Sequence, residues 1–185
     1  MKSGLKPVQI VVAVLVATVG VCCLATAIPN FLHFGARSKQ SEAKAHLREV
    51  MIAQRAFFAD QGRWAGSFEE LGLVLERGNR YRVALSQGGE VLVPGHPDGG
   101  PHAILGVDDS RFGPGVPDSA HPPAMPRVAW EQLGVQGGAL TVVATGNIDV
   151  DATLDVWSIS SAGRVIDGRP VDAGVPYCHV DDTKR

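Results

Sequence analysis

The side chains best suited to bind a ligand lie in one short segment near the C-terminal end of the chain. Oxygen-bearing side chains recur at alternate positions from Asn147 to Asp155, as they do in loops that bind calcium. The glycine expected at the sixth position of such a loop and the acid expected at the twelfth are missing. Two interpretations stay open: a turn whose side chains bond to the backbone, or a calcium site formed by Asn147, Asp149, Asp151 and Asp155.

Catalytic chemistry is not indicated elsewhere in the sequence. Neither a Gly-x-Ser-x-Gly nucleophile motif nor a phosphate-binding loop occurs. His96 and His102 flank a Pro/Gly turn, and surface histidines explain this pair better than a metal site. The net charge of −2 gives no electrostatic reason to expect nucleic acid. We therefore expect a protein that is not an enzyme, with calcium as the one candidate cofactor.

The first third of the chain begins as an apolar segment. Residues 7–36 contain no Asp, Glu, Lys or Arg. A helix of this length spans about 45 Å, more than the hydrocarbon core of about 30 Å. Lys2 and Lys6 fit a short basic leader over residues 1–6. The rival interpretation is a cleavable secretory signal that ends at the triplet Ala25-Thr26-Ala27.

Beyond residue 36 the pattern becomes amphipathic. Apolar residues recur at steps of three and four, and charged residues occupy the other faces, which is typical of a helix that covers a folded domain. Gly62 fits a C-terminal cap. We predict one helix over residues 7–61, membrane-spanning to about residue 35. Its predicted buried stripe consists of Ala43, Leu47, Val50, Met51, Gln54, Phe57 and Phe58.

Several short stretches of this region agree with one known family in order and spacing: Ala27-Ile28-Pro29-Asn30-Phe31 and residues 36–44, 53–58, 62–64 and 68–72. In these stretches the segment resembles the N-terminal helix of type IV pilins and pseudopilins. The resemblance implies an α+β fold in which a long N-terminal helix packs on a small antiparallel sheet. It also implies a structural role, with other pilin subunits, the pilus assembly machinery and the bacterial inner membrane as partners. The head would face the periplasm, or the outside of the cell on a filament.

The N-terminal motif departs from that of the family. Pilin precursors carry Gly-Phe-Thr-Leu-Ile-Glu and are cut after the Gly, whereas this chain has Gly4-Leu5-Lys6-Pro7-Val8-Gln9. The resemblance places a processing site between Gly4 and Leu5, and it places Gln9 where the family has its Glu. Three extra residues between Gln9 and Pro29 would rotate the upstream helix by about 300°. The motif therefore favours a minor subunit or an uncleaved membrane protein over a major repeated subunit.

Two residues inside the apolar helix are expected to let it bend. Pro29 removes a backbone donor and favours a kink, and Gly20 weakens the turn upstream of it. We predict that Gln9, Gly20 and Pro29 matter for assembly.

Residues 62–185 are predicted to form an α+β head with a Pro/Gly-rich surface loop over residues 112–126. Ser67 and Glu70 have the spacing of a capping box at a short helical start. Hairpin turns are predicted at Gln87-Gly88-Gly89 and Ser161-Ala162-Gly163, and the alternation over residues 156–160 predicts a strand with one wetter face. The predicted strands cover residues 81–85, 90–93, 102–107, 139–145, 154–160 and 163–166.

Three functions are compatible with the sequence. The first is a structural or minor subunit of a pilus or pseudopilus, and the second is a membrane-tethered binding protein that does not polymerise. The third is a soluble domain that is secreted after cleavage at Ala27.

Overall fold

The computed structural model describes residues 7–73, 78–92, 100–108, 126–148 and 153–184. The chain divides into two compact units, Met1–Ser38 and Lys39–Arg185. The predicted leader, residues 1–6, and nearly all of the predicted loop at 112–126 lie outside the described residues.

The first element is the helix α1, Pro7–Gln61. It ends where the sequence predicts a cap, because Gly62 adopts a φ of 69° and its N–H donates to the carbonyl of Phe58 at 2.9 Å. A residue with a Cβ would be strained in this left-handed conformation.

The head contains nine strands and a second, short helix among the described residues. Each of the six predicted strands is present, while three strands and the helix were not predicted. The elements are β1 (Tyr81–Ala84), β2 (Glu90–Leu92), β3 (His102–Leu105), α2 (Arg127–Gln132), β4 (Gly134–Gln136), β5 (Ala139–Gly146), β6 (Asp155–Ser160), β7 (Arg164–Ile166), β8 (Arg169–Val171) and β9 (Tyr177–Val180), followed by a 3-10 turn at Asp182–Lys184.

The main sheet has the strand order β2-β3-β1-β5-β6-β9, with β4 paired to one end of β5. All of its pairs are antiparallel except β2 with β3, which is parallel. The separate ribbon β7–β8 is antiparallel. The predicted α+β class, with a long helix and an antiparallel-rich sheet, is confirmed.

Both predicted hairpins are wrong. The turn at residues 87–89 leads from β1 to β2, but β1 pairs with β3 and β5. The turn at 161–163 leads from β6 to β7, but β6 pairs with β5 and β9. Glycines at these positions permit a reversal of the chain, yet they carry no information about which strand the chain then meets.

Two actual hairpins carry a local sequence signal of their own. Gly137 and Gly138, with φ of 56° and 83°, connect β4 to β5. Asp167 and Gly168, with φ of 50° and 74°, connect β7 to β8. Gly-Gly and Asp-Gly are preferred in two-residue hairpin loops because both residues need positive φ. Neither hairpin was predicted, although both dipeptides are visible in the sequence.

One face of the main sheet packs against the second part of α1. Gln40 and the predicted stripe as far as Gln54 are buried, at the expected helical steps. Gln54 fixes the chain beyond the helix, because its amide bonds both the N–H and the carbonyl of Ala65, at 2.9 and 3.0 Å. The stripe prediction is wrong for Phe58, which is 40% exposed and stacks on Trp64 with ring centroids 4.4 Å apart.

The opposite face of the sheet is also covered, so the predicted wetter face of β6 is wrong. Ser158 is 0% exposed and every residue of β6 is buried. A cluster from α2 and the strands, with Ala129, Leu133, Val143 and Val156 among its members, packs on this face. Serine is tolerated there because its hydroxyl is hydrogen-bonded to two half-buried side chains, Arg164 and His179.

His102 is likewise buried, not at the surface. Its ring Nδ1 lies 2.5 Å from one Glu69 carboxylate oxygen, and its backbone N–H donates to the other at 2.9 Å. Residues 68–72 form turns, not a helix, although the Glu70 N–H does donate to the Ser67 hydroxyl at 3.3 Å. His96 lies outside the described residues.

Candidate assembly helix and its buried anchor

The first part of α1 presents an apolar surface that nothing in its own unit covers. Pro7–Ala27 is long and apolar enough to cross a membrane, and none of its described side chains is buried. Val16 is 65% exposed and Phe31 is 75% exposed. Exposed apolar side chains on this scale mark a surface that lipid or other apolar helices cover.

The two threonines of this part do not need water. The Thr18 hydroxyl donates to the carbonyl of Val14 at 2.8 Å, and the Thr26 hydroxyl lies 3.1 and 3.0 Å from the carbonyls of Cys22 and Cys23. A hydroxyl bonded within its own helix is compatible with an apolar medium.

Of the five predicted processing and assembly residues the structure describes three, which lie apart along α1. Gln9 is exposed on α1, and a Cβ placed at Gly20 would meet nothing within 4 Å besides its chain neighbours and the adjacent helix backbone. Pro29 lies within α1, while Gly4 and Leu5 lie outside the described residues. The roles of all five residues stay predictions.

The second part of α1 is fastened to the head around one carboxylate, Asp155. Its side chain is 0% exposed and accepts four hydrogen bonds. Oδ1 accepts from Gln40 Nε2 at 3.0 Å and from the Asp182 N–H at 3.3 Å. Oδ2 accepts from the Tyr81 hydroxyl at 2.7 Å and from the indole N–H of Trp157. We call Asp155 with these four donors the Asp155 anchor.

The anchor depends on a close approach between β1 and β5. Tyr81 lies opposite Gly146, and a Cβ at Gly146 would come within 2.7 Å of the Tyr81 ring. Burial first, and then the negative charge of Asp155, raise the pKa of Tyr81 far above its ordinary value. The phenol therefore stays protonated, as a donor to Asp155, at neutral pH.

Further polar contacts hold α1 along the same face. The Lys39 ammonium donates to the carbonyl of Ile148, and Lys44 Nζ lies 4.5 Å from the Trp157 ring centroid. Glu42 accepts from the backbone N–H of Arg80 at 2.7 Å. These contacts set the position of the helix along the sheet, which apolar packing alone specifies weakly.

Two exposed carboxylates, those of Glu69 and Glu70, accept hydrogen bonds that stabilise the chain segment after α1. A hydrogen bond from Arg63 and another from the Gly66 backbone lower the pKa of Glu70 to about 2. Burial raises the pKa of Glu69, but hydrogen bonds from the His102 side chain and backbone outweigh it and lower that pKa to about 2. Both residues favour the folded state as carboxylates, so their contribution is present above about pH 4.5 and is lost as the pH falls toward 2.

One of the four predicted calcium ligands, Asp155, is engaged in hydrogen bonds within the protein. Each oxygen of Asp155 already accepts two hydrogen bonds. Asn147 is half-buried, and Asp149 and Asp151 lie outside the described residues. Among the described residues no group of three or more His, Cys, Asp or Glu could hold a metal ion. The calcium site stays a prediction, and Asp155 would have to give up hydrogen bonds to join it.

A melting experiment tests the calcium prediction. If calcium binds, about 1 mM calcium, the weak end of extracellular sites, should raise the melting temperature of the full-length protein above its value in chelator. Asn147→Ala should abolish that rise. Equal melting temperatures in calcium and in chelator would contradict the site and leave the turn interpretation.

The donors of the Asp155 anchor were not predicted from the sequence. Gln40 and Tyr81 are 115 and 74 residues away from Asp155 in the chain. One local signal exists: Gln40 and Gln54 continue the apolar stripe, and a polar residue in such a stripe needs a buried partner. The identity of that partner cannot be read from a local pattern.

An exposed apolar helical segment, together with a helix packed on an antiparallel-rich sheet, is the architecture of type IV pilins. The family profile described as "Type IV pilin PilA" matches residues 34–163, which is more than half of the chain. The chain is also similar to "Type IV major pilin protein PilA" of Myxococcus xanthus (strain DK1622), at 35% identity over 89% of this chain and 86% of that protein. The chain therefore belongs to the type IV pilin PilA family.

Proposed function

We propose that this chain is a structural subunit of a type IV pilus, not an enzyme. Residues 7–27 anchor it in the bacterial inner membrane, with the head on the periplasmic side. On assembly, the same apolar surface leaves the lipid and packs against the helices of neighbouring subunits.

One observation carries this proposal: the described side chains of the apolar segment Pro7–Ala27 are all exposed, in a chain whose residues 34–163 match the pilin family. A predominantly apolar helix can leave lipid and pack against other apolar helices at little cost in free energy, because both surroundings are equally apolar. The similarity to a protein named as a major pilin supports a repeated subunit. The altered motif from Gly4 to Gln9 supports a minor one.

Cell fractionation tests the proposal. We expect the chain in filaments sheared from the producing bacterium and in its inner membrane, and we expect a variant without residues 7–27 in neither fraction. The amount of the wild-type chain relative to the other subunits of the sheared filaments then distinguishes a major subunit from a minor one. Mass analysis of the mature N-terminus tests processing, since a chain that begins at Leu5 has been cut after Gly4.

Two results would contradict the proposal. A chain found in the membrane and never in filaments would be a tethered protein that does not polymerise. A chain found free in the medium and beginning at Ile28 would be a secreted domain.

A further inference from the structure

One buried hydroxyl joins three strands on the face of the sheet opposite α1. Ser158 Oγ on β6 lies 2.6 Å from Nη2 of Arg164 on β7 and 2.7 Å from Nε2 of His179 on β9. Arg164 also donates through Nη1 to the side-chain oxygen of Gln132 on α2, at 3.2 Å. We call Ser158, Arg164 and His179 the polar clasp.

The charges around the clasp favour a neutral histidine. A guanidinium can only donate, so Ser158 Oγ accepts from Arg164. When Nε2 of a neutral His179 carries a lone pair, the Ser158 hydroxyl donates its own proton there. Protonation makes Nε2 a donor, so the hydroxyl proton loses this acceptor, and it places a second positive charge across one oxygen atom from Arg164.

The groups that face His179 favour its neutral form. Arg164 from β7 repels a charge on the ring, whereas Asp167 in the β7–β8 turn attracts it. Tyr177, on the same strand, meets the ring edge-on with centroids 5.0 Å apart. Burial first, and Arg164 second, lower the pKa of His179 to about 4. Burial also lowers the pKa of Arg164 to about 10, and no ion pair to a carboxylate forms at Arg164 among the described residues.

The clasp attaches the ribbon β7–β8 to the rest of the head, beside a longer hydrogen bond of 3.5 Å from the Tyr177 hydroxyl on β9 to Asp167 in the ribbon's turn. The ribbon forms its own two-stranded sheet, and its ladder does not continue into the main sheet. Only Ile166 and Val171 of the ribbon are buried apolar side chains. Arg164 adds the hydrogen bonds that reach β6 and α2, and the bond to Ser158, at 2.6 Å, is the shortest of these polar contacts.

We propose that the polar clasp is an acid-sensitive switch, which holds the ribbon β7–β8 on the head while His179 is neutral and releases it when His179 is protonated. Release would expose Ile166, Val171 and the face of β6 that carries Ser158. In acid the head would then present a surface that is buried at neutral pH. This inference concerns the head alone and holds whether or not the chain polymerises.

The direction of the pH effect follows from proton linkage. A released or unfolded histidine has a pKa of about 6.5, so between about pH 6.5 and pH 4 the open form binds a proton that the closed form excludes. Attachment is therefore complete above about pH 6.5 and weakens as the pH falls. Between pH 7 and pH 4 the equilibrium constant for opening should rise about 100-fold. Glu69 and Glu70 act at lower pH and do not mask this change.

Hydrogen exchange of the full-length protein in detergent tests the switch. After correction for intrinsic rates, the protection of residues 164–171 should fall about 100-fold from pH 7 to pH 4, while that of β5 stays constant. His179→Gln, which cannot take up a charge, should abolish this dependence. His46→Gln, which replaces a histidine on α1 beside Glu42 and Glu49, should preserve it.

A second variant keeps the test decisive if His179→Gln does not fold. Ser158→Ala removes the shared oxygen, so the ribbon should already exchange faster at pH 7 and should respond less to acid. Unchanged ribbon protection in the wild-type protein from pH 7 to pH 4 would overturn the proposal. An equal response to pH in His179→Gln would overturn it as well.

Discussion

Asp155→Ala is expected to destabilise the head by about 3–5 kcal/mol, because it leaves several buried donors without an acceptor at about 1–3 kcal/mol each. The donors that lose their partner are Tyr81, Trp157 and the Asp182 N–H, whereas Gln40 keeps a second acceptor in Asp181 at 2.9 Å. For a chain of this size the loss corresponds to a melting temperature lower by about 10 °C or more.

The measurement is a thermal melt of the full-length protein in detergent, followed by tryptophan fluorescence, with chelator present so that calcium plays no part. Asp172→Ala removes an exposed carboxylate after β8 and should change stability by no more than about 0.5 kcal/mol. Tyr81→Phe removes one donor and should cost about 1 kcal/mol. If the Asp155→Ala protein had the same melting temperature as the wild type, the anchor would not hold α1 on the sheet.

Val16→Asp is expected to remove the chain from filaments while the head stays folded. Val16 lies in the middle of the exposed apolar segment, and a carboxylate there costs about 3 kcal/mol in lipid. A neighbouring apolar helix offers it no better partner. The recovery of sheared filaments should therefore fall by about 100-fold, the equivalent of that free energy.

Val165→Asp is the matched control, because Val165 is 66% exposed on the ribbon and Val16 is 65% exposed on the helix. Both variants remove the same side chain and add the same charge, but only one changes the proposed assembly surface. Equal filament recovery from the two variants would contradict assembly through the apolar helix. A lower melting temperature of the Val16→Asp head would also contradict it, since Val16 belongs to the compact unit Met1–Ser38 and the head to Lys39–Arg185.

Much of the helix and of the family assignment could be predicted from local patterns. The absence of charge over residues 7–36, the helical steps from Ala43 to Gln54 and the cap at Gly62 each depend on neighbours within a few residues. The strands were predicted for the same reason, since alternation and turn residues are local. The pairing of those strands was not, because the turns at 87–89 and 161–163 suit a reversal toward any partner.

The sequence by itself determined a helix with an apolar half and an amphipathic half, followed by an α+β head of the pilin kind. Only the tertiary structure decided what Asp155 and Ser158 do. A series of oxygen-bearing residues suggests a metal loop, yet Gln40 and Tyr81 arrive from distant parts of the chain and occupy the oxygens of Asp155. An alternating strand suggests a wet face, yet Arg164 and His179 cover Ser158. Burial and hydrogen-bond partners depend on which distant segments of the chain meet. The periodicity of residues within one segment does not contain that information.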